Sequence, residues 1–151
     1  MEGSLPLQID LYTSNAGLKK ATFRPSSAFC CRFVEGNPIE EIIYWLKNYA
    51  QKRPLPLNFP LDWEGLTDFQ RNGLKQLSSI PWGNVQSYGE IAKKLGRKEL
   101  ARAVGMVCRT NPWPLFIPCH RIIASRGKIG GFAYGLPMKE LLLEFEGLNA
   151  L

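Results

Sequence analysis

The first part of the chain alternates short apolar runs with turn-forming residues. Three runs rich in β-branched or aromatic side chains cover residues 5–12, 18–23 and 28–34, separated by clusters of Ser, Asn, Gly and Pro. Runs of this length bounded by such clusters are typical of β-strands. The pattern therefore predicts a small meander of three strands.

One helix and an extended segment follow these strands. Apolar side chains recur at helical spacing through residues 39–51, which predicts a helix with one face turned to a core. The three prolines between residues 54 and 60 then exclude helical geometry and predict an extended linker. We expect an N-terminal α/β lobe over residues 1–61 and a second domain over residues 62–151.

The second domain is predicted to be mainly helical. Thr67 is a suitable N-cap for a helix over residues 68–78, and Ser87 for a shorter helix that Gly96 ends. A further helix has an apolar face between residues 100 and 108. Two short helices joined by a tight turn predict a helix-turn-helix, and the fold class expected is α+β.

The positive charge is concentrated in this second domain. The chain has 151 residues and a net charge of +6, but residues 87–128 contain nine basic and two acidic side chains. The basic residues are Lys93, Lys94, Arg97, Lys98, Arg102, Arg109, Arg121, Arg126 and Lys128. Such a local field suits a polyanion, first of all nucleic acid, although a solvated basic face would have the same composition.

Composition and apolar pattern also restrict the class of protein. Apolar residues make up 45% of the chain and charged residues 21%, which excludes disordered and collagen-like sequences. No apolar run approaches the length of a membrane span, and Met1-Glu2-Gly3 lacks the basic start of a secretory signal. We expect a cytoplasmic protein, nucleoid-associated in a prokaryote, that has no membrane partner.

The outward face of the second short helix lacks the side chains that read base edges. It presents Lys98, Ala101, Arg102, Gly105, Met106 and Arg109. Asn and Gln, which recognise adenine, are absent from this face, whereas small residues around Arg102 would let the helix backbone approach the sugar-phosphate walls closely. This pattern favours a minor-groove or base-displacing geometry over sequence-specific binding.

Four cysteines are present, and one of them has distinctive neighbours. Cys30, Cys31 and Cys108 form neither a zinc pattern nor a disulfide framework, so we expect reduced thiols and no metal. Cys119 precedes His120, the one histidine of the chain, inside an apolar segment stiffened by prolines. A nearby His and Arg would lower the pKa of a thiol, but a buried, inert Cys beside a satisfied His is the alternative.

A carboxylate near the C-terminus could orient this histidine. Glu144 and Glu146 fall in the last turn of a helix predicted to start at Pro137, where the helix dipole disfavours negative charge. A carboxylate placed there either has a partner or is simply exposed. A His that polarises a thiol commonly has its second nitrogen bound by a third group, so His120 is the partner that we expect for Glu146.

Three motifs of the second domain stand in a fixed order along the chain. They are Arg102-Ala103-Val104-Gly105, Asn111-Pro112 and Ile117-Pro118-Cys119-His120-Arg121-Ile122-Ile123. Together they resemble the O6-alkylguanine-DNA alkyltransferases, also called methylated-DNA-protein-cysteine methyltransferases. The resemblance covers about residues 66–147, and it implies a ribonuclease-H-like N-terminal lobe and a winged-helix-like C-terminal domain.

This resemblance implies catalytic roles for the matching residues. Cys119 would accept the alkyl group from O6 of guanine, and His120 would deprotonate it through a water molecule. Glu146 would orient the imidazole, and Asn111 would brace the link between the DNA-binding helices and the active-site strand. Because the sulfur of a thioether does not readily release its alkyl group, each molecule would act once. The resemblance also implies a monomer that needs no cofactor.

DNA contacts and a substrate pocket are implied in the same way. Tyr88 would help to rotate the target nucleotide through the minor groove and protonate the departing guanine, while Arg102 would fill the gap in the base stack. The DNA would be double-stranded and carry O6-alkylguanine, or O4-alkylthymine. Further DNA contacts are expected from Ser87, Ala101, Gly105, Arg109, Arg121 and Lys98, and the pocket from Pro114, Gly131, Phe132, Ala133 and Tyr134.

The pocket segment departs from the pattern of several relatives. Tyr134 stands where several relatives have Gly, and a bulky side chain there could narrow the pocket. We therefore expect faster repair of O6-methylguanine than of O6-benzylguanine.

Two other functions are compatible with the residues themselves. A helix-turn-helix regulator with an alkylation-sensing cysteine would bind one operator sequence tightly, which the poor reading face disfavours. A Cys-His hydrolase would need turnover and an oxyanion hole, and adjacent Cys and His are not the separation usual in papain-like enzymes.

Overall fold

The structure is a computed structural model that describes residues 5–124 and 127–148. The expected absence of a secretory signal at Met1-Glu2-Gly3 concerns residues outside this range, and so does the basic Arg126. The chain divides into two compact units, Met1–Glu64 and Gly65–Leu151. Both helices and small sheets are present, so the fold is mixed α and β.

The first unit contains a three-stranded sheet whose order is not that of a meander. Its strands are β1 (Leu7–Ser14), β2 (Gly17–Pro25) and β3 (Cys30–Glu35). β1 lies in the centre, antiparallel to β2 and parallel to β3. The predicted meander is therefore wrong, because the chain crosses from the β2 edge to the other side of β1. Apolar runs along a sequence predict strands but not the order in which strands pair.

Burial explains why β1 is the central strand. Leu7, Ile9 and Leu11 are completely buried, and Asp10, which is 3% exposed, lies between guanidinium groups on both neighbouring strands. The Asp10 carboxylate accepts hydrogen bonds from Arg24 at 2.6 Å and from Arg32 at 2.9 Å. One buried carboxylate thus cross-links the three strands, which fits the rule that buried charges are paired.

One helix and an extended segment complete the first unit. Helix α1 (Glu40–Ala50) buries Trp45 and Tyr49, whose rings stack 5.4 Å apart. The Trp45 indole donates a hydrogen bond to the carbonyl of Leu55 at 2.8 Å, and Leu61 forms a parallel bridge with Leu18 at the start of β2. These bonds attach the Pro-rich segment to the sheet, and the unit extends to Glu64.

The second unit contains the other helices and a minimal sheet. Its elements are α2 (Asp68–Ser78), β4 (Gln86–Ser87), α3 (Tyr88–Lys94), a 3-10 turn (Lys98–Leu100), α4 (Ala101–Arg109), a second 3-10 turn (Cys119–Arg121), β5 (Ile122–Ile123) and α5 (Leu136–Phe145). The two predicted caps form complete capping boxes, Thr67 with Gln70 and Ser87 with Glu90. In each box, two backbone N–H groups that the helix leaves unbonded find acceptors.

Close packing fixes the positions of the helices around the second 3-10 turn. A methyl group added to Gly73 of α2 would lie 3.0 Å from both methyl groups of Val107 on α4, so α2 and α4 approach each other closely. β4 pairs with β5 in parallel, which places the start of α3 beside the strand that follows Cys119. Among residues 5–124 and 127–148, no helix has the length and apolar character to cross a membrane.

Candidate functional site

The segment before Cys119 is shaped by one side chain and one unusual backbone angle. The Asn111 amide donates to the carbonyl of Ile117 and accepts from the backbone N–H of Trp113, both at 2.9 Å. Leu115 has a φ of 76°, in the left-handed region that non-glycine residues rarely adopt. Asn111 therefore cross-links the ends of a tight loop, in the position where a brace is expected.

Cys119 begins a single turn of 3-10 helix instead of lying in a strand. The turn covers Cys119–Arg121 and leads directly into β5. The prolines that stiffen this segment do not prevent the turn, since Pro118 precedes it and its fixed φ is compatible with a helical start. Cys119 is 5% exposed and His120 is completely buried.

Cys119 lines a large cavity of about 1140 Å³. Its lining comes from α3, α4, the 3-10 turn and the segment before α5: Tyr88, Gly89, Ala101, Arg102, Gly105, Met106, Cys108, Arg109, Cys119, Ala124, Gly131, Phe132 and Ala133. The volume slightly exceeds the range of about 300–1,000 Å³ that is usual for small-molecule sites. A group of the size of a nucleobase can therefore be accommodated next to the sulfur.

Behind the cavity, His120 takes part in a buried ion-pair network. Its Nε2 lies 2.7 Å from Oε2 of Glu146. Arg121 donates from Nε to Oε1 of the same carboxylate at 2.7 Å and from Nη2 to Oε2 at 3.0 Å, and its Nη1 donates to the carbonyl of Ile80 at 2.7 Å. A bidentate guanidinium pair of this kind fixes the carboxylate geometrically.

The protonation states in this network follow from burial and charge. Burial lowers the pKa of His120, although Glu146 acts in the opposite direction. Burial would raise the pKa of Glu146, but the charges and hydrogen bonds of His120 and Arg121 lower it to about 2. At neutral pH the carboxylate is therefore ionised and the imidazole neutral, with its proton on Nε2 facing Glu146.

This tautomer leaves the other imidazole nitrogen as an acceptor. Nδ1 of His120 is buried and has no hydrogen-bond partner among the described residues. In a neutral imidazole whose Nε2 carries the proton, Nδ1 has a free lone pair. The adjacent residue of Cys119 thus provides a base whose orientation Glu146 fixes.

The thiol itself is not acidic in this structure. Burial raises the pKa of Cys119 to about 11, and the Asn111 amide and the charge of Lys139 oppose this effect only partly. The expectation that His120 and Arg121 lower the pKa of the thiol is wrong, because His120 is neutral and Arg121 is engaged with Glu146. The resting thiol is therefore protonated and needs a base to become a nucleophile.

Tyr88 crosses the cavity between helix α4 and the segment around Gly131. A methyl group added to Gly105 would lie 3.9 Å from the Tyr88 ring, and one added to Gly130 would lie 3.4 Å from the ring and 3.5 Å from its hydroxyl oxygen. Burial raises the pKa of Tyr88, whereas a hydrogen bond from the backbone of Gly131 lowers it. The hydroxyl thus remains protonated at neutral pH and can donate a proton inside the cavity.

The expected DNA-binding residues are accessible, with one exception. Ala101, Arg102, Gly105 and Arg109 line the cavity along α4, and Lys98 is exposed on the preceding turn. Ser87 is partly exposed, and its hydroxyl caps α3. Arg121 is the exception: it is 8% exposed and bonded to Glu146 and Ile80, so its proposed DNA contact is replaced by a structural role.

Comparison with known proteins places these residues in a family. A family model described as the DNA-binding domain of 6-O-methylguanine DNA methyltransferase matches residues 68–148, which include the cavity, the thiol and the ion-pair network. The chain belongs to the methylated-DNA-protein-cysteine methyltransferase family.

Curated relatives bear the name methylated-DNA-protein-cysteine methyltransferase. A Sulfolobus acidocaldarius family member is 40% identical over 116 residues, which are 77% of this chain and 72% of that protein. A Methanosarcina acetivorans family member is 46% identical over 81 residues, which are 54% of this chain but only 52% of that protein. The latter match therefore spans about half of its relative.

Solved structures of the family show the same fold. Mycobacterium tuberculosis OGT in complex with DNA has a TM-score of 0.73 and 30% identity, and covers 95% of this chain and 94% of that one. The O6-methylguanine-DNA methyltransferase of Pyrococcus kodakaraensis, at 23% identity and a TM-score of 0.69, matches in fold alone.

Two expected pocket residues do not line the cavity of this family member. Gly131, Phe132 and Ala133 do, but Pro114 is buried elsewhere and Tyr134 packs against Phe132 with ring centroids 5.8 Å apart. A Tyr134 that narrows the pocket is therefore not supported, because its ring lies beside the pocket wall. Among the described residues, no group of three His, Cys, Asp or Glu side chains could bind a metal.

One buried cation is absent from the predicted site residues. Lys139 of α5 is completely buried, and its charge acts on both Cys119 and Cys108. A signal for it exists in the sequence: Lys139 precedes Leu142 and Leu143 by three and four residues, which places a charged side chain on the buried face of a helix. Cys108 and Ala124, also unpredicted, line the same cavity.

Proposed function

We propose that this chain repairs alkylated double-stranded DNA by transferring the methyl group from O6 of guanine to the sulfur of Cys119. The observation that carries the proposal is the position of this thiol: it lines a cavity large enough for a nucleobase, while the neighbouring His120 is buried and bonded to Glu146. A thiol, an oriented base and a cavity are the parts that nucleophilic catalysis requires.

The transfer proceeds by displacement at the methyl carbon. His120 takes the thiol proton at Nδ1 through a water molecule, and the resulting imidazolium is stabilised by the Glu146 carboxylate. The sulfur then forms a bond to the methyl carbon as the bond from that carbon to O6 breaks. The electron pair of the broken bond stays on the guanine, which takes a proton from the Tyr88 hydroxyl, and the tyrosinate regains a proton from the imidazolium or from solvent.

Burial of the thiol makes this step depend on the base. With a pKa of about 11, Cys119 is almost entirely protonated at neutral pH, so spontaneous reaction with other electrophiles is slow. The product is a thioether, from which the thiol is not regenerated. Each molecule acts once, and no cofactor is required.

The alkylated nucleobase can reach the cavity only when its nucleotide is rotated out of the DNA base stack. We propose that α3 and α4 form a helix-turn-helix of winged-helix type, that α4 enters the minor groove, and that Arg102 fills the space left by the flipped nucleotide. Arg102, Gly105 and Arg109 of α4 line the cavity. Extrusion of a base costs a few kcal/mol, and less for a damaged base, so O4-methylthymine is a second expected substrate.

The relatives support this assignment. Homologues at 40% identity bear the name methylated-DNA-protein-cysteine methyltransferase, and the M. tuberculosis structure is a complex with DNA. We propose the same partner for this chain, bound by a monomer. The first unit is proposed to be ribonuclease-H-like, and the location cytoplasmic, nucleoid-associated in a prokaryote.

Intact-mass measurement tests the proposal. After incubation with duplex DNA containing O6-methylguanine, the protein should gain one CH2 unit, located on Cys119 by peptide mapping, and stop after one equivalent. Cys119→Ser should gain nothing, whereas Cys108→Ser, which changes the other thiol of the cavity, should still react. Repeated loss of lesions at substoichiometric protein, or a gain at a different residue, would contradict the proposal.

A further inference from the structure

Lys139 is a completely buried lysine that the proposed transfer does not use. Its Nζ donates hydrogen bonds to the carbonyl oxygens of Ile122 and Gly131, the latter at 3.0 Å. Burying an ammonium group is costly unless its donors are satisfied. The two carbonyl acceptors therefore offset the cost of burying this lysine on the inner face of α5.

The two carbonyls belong to two neighbouring segments beside the acceptor cavity. Ile122 is the first residue of β5, directly after the turn that contains Cys119. Gly131 lines the cavity together with Phe132 and Ala133. One ammonium group thus joins the strand that follows the thiol to a segment that lines the cavity.

Gly131 also contacts the residue proposed as the proton donor. Its backbone lies near enough to the Tyr88 hydroxyl to lower the pKa of that group, and the neighbouring Gly130 lies so close to the Tyr88 ring that an added methyl group would be 3.4 Å away. A shift of Gly131 would therefore move the Tyr88 hydroxyl relative to the sulfur. The chain of contacts runs from Lys139 through Gly131 to Tyr88.

We propose that Lys139 is a positioning residue: by binding the carbonyls of Ile122 and Gly131, it fixes residues 130–133 and, through Gly131, the Tyr88 hydroxyl in register with the Cys119 thiol. The inference rests on the proposed function for its effect on methyl transfer. Its effect on the cavity wall does not depend on that function. A displacement of about 1 Å at a reacting group can cost about 10²-fold in rate.

The charge of Lys139 provides a second readout. The titratable groups around it are Cys108 on α4 and Cys119 and His120 on the 3-10 turn. Burial lowers the pKa of Lys139 to about 8, although the two thiols act in the opposite direction. The side chain is charged at neutral pH and loses its charge-assisted hydrogen bonds as the pH rises through this value.

The first test compares Lys139→Met, Lys139→Arg and the control Lys47→Met, which makes the same change at an exposed lysine of α1. Lys139→Met should slow single-turnover methyl transfer by about 10²-fold and leave the Kd for lesion DNA within about twofold, because it misplaces reacting groups without removing a DNA contact. Lys139→Arg, which keeps charge and donors, should recover much of the rate. Transfer by Lys139→Met at the wild-type rate would overturn the proposal.

Two further readouts separate positioning from a loss of stability. The rate losses of Lys139→Met and Tyr88→Phe should not add in the double variant, since one acts through the other. The wild-type rate should decline above about pH 8, where Lys139 deprotonates, whereas Lys139→Arg should not show this decline because its guanidinium stays charged. Additive losses, or the same decline in the Arg variant, would overturn the proposal.

Hydrogen exchange separates this inference from the proposed function. Backbone amides of residues 130–133 should exchange faster in Lys139→Met than in the wild type or Lys47→Met, with no DNA present. If the wild type transfers no methyl group, the proposed function fails, and faster exchange still supports the role of Lys139 in fixing the wall. Unchanged exchange contradicts that role. If Lys139→Met does not fold, Lys139→Gln replaces it, and equal rates and exchange in the Gln and Arg variants overturn the proposal.

Discussion

Glu146 is the residue on which the chemistry of the buried network depends. It accepts hydrogen bonds from His120 and from two nitrogens of Arg121, and is 3% exposed. Without its negative charge, nothing in the network would favour the Nε2 tautomer of His120 or stabilise the imidazolium. A single carboxylate therefore sets both the direction and the strength of the base.

Removing the charge of Glu146 should affect rate and stability, whereas removing the charge of the nearby Glu144 should not. We expect Glu146→Gln to slow methyl transfer by about 10²–10⁴-fold, the range for loss of general-base catalysis, and to destabilise the protein by about 3 kcal/mol because Arg121 loses its buried partner. Glu144→Gln, which makes the same change at an exposed residue two positions earlier, should change neither quantity.

Single-turnover rates and denaturant midpoints measure the two effects. Transfer by Glu146→Gln at the wild-type rate would show that His120 is not the base. Loss of stability without loss of rate would limit Glu146 to a structural role.

The sequence predicts the residues of this site better than their partners. Cys119, His120 and Glu146 are recognisable because a lone histidine beside a cysteine and a carboxylate at a helix C-terminus are both unusual. Their protonation states are not recognisable, because they follow from burial: Arg121 is bonded to Glu146, and the pKa of Cys119 rises instead of falling.

At the scale of elements, the glycine-containing segment before α5 determines the shape of the cavity. Gly127 and Gly130 have φ angles of 74° and 73°, so both adopt the left-handed backbone conformation. A methyl group added to Gly130 would lie 3.1 Å from the backbone nitrogen of Ala124 and 3.4 Å from the Tyr88 ring, whereas at Gly127 no described atom lies within 4 Å.

This difference gives a matched pair of variants. Gly127→Ala and Gly130→Ala should each lose about 1–2 kcal/mol of stability from the left-handed backbone. Only Gly130→Ala should also slow methyl transfer, by about tenfold or more, because its methyl group presses on Tyr88 and Ala124. Thermal melts and single-turnover rates measure the pair, and equal rates in the two variants would show that this contact does not position Tyr88.

Elements follow from local sequence where local interactions decide them. The helices capped by Thr67 and Ser87 are predicted because a cap and its partner lie three residues apart. The order of the three strands is not, since the parallel pairing of β1 with β3 depends on contacts between distant parts of the chain. The 3-10 turn at Cys119 is likewise too short to leave a periodic pattern.

For the molecule as a whole, the distribution of charge matters more than its sum. The net charge is +6, yet nine basic and two acidic residues fall within residues 87–128, so the remainder of the chain is nearly balanced. A protein that binds phosphates with such a region releases counterions, and its affinity falls with salt in proportion to the number of phosphates neutralised. The position of a positive charge, not its presence alone, should therefore decide its effect.

Two double variants with the same change in net charge test this statement. Lys98→Gln with Arg109→Gln removes two positive charges from α4 and the turn before it, and Lys19→Gln with Lys52→Gln removes two from the first unit. The first pair should weaken binding to undamaged duplex DNA and reduce the slope of log K against log salt by about 2, since each phosphate contact contributes about 0.9. The second pair should leave the slope within experimental error, because net charge alone does not bind DNA at a defined surface. Equal effects of the two pairs would mean that the protein binds DNA by its overall charge, and α4 would then not be the DNA-binding helix.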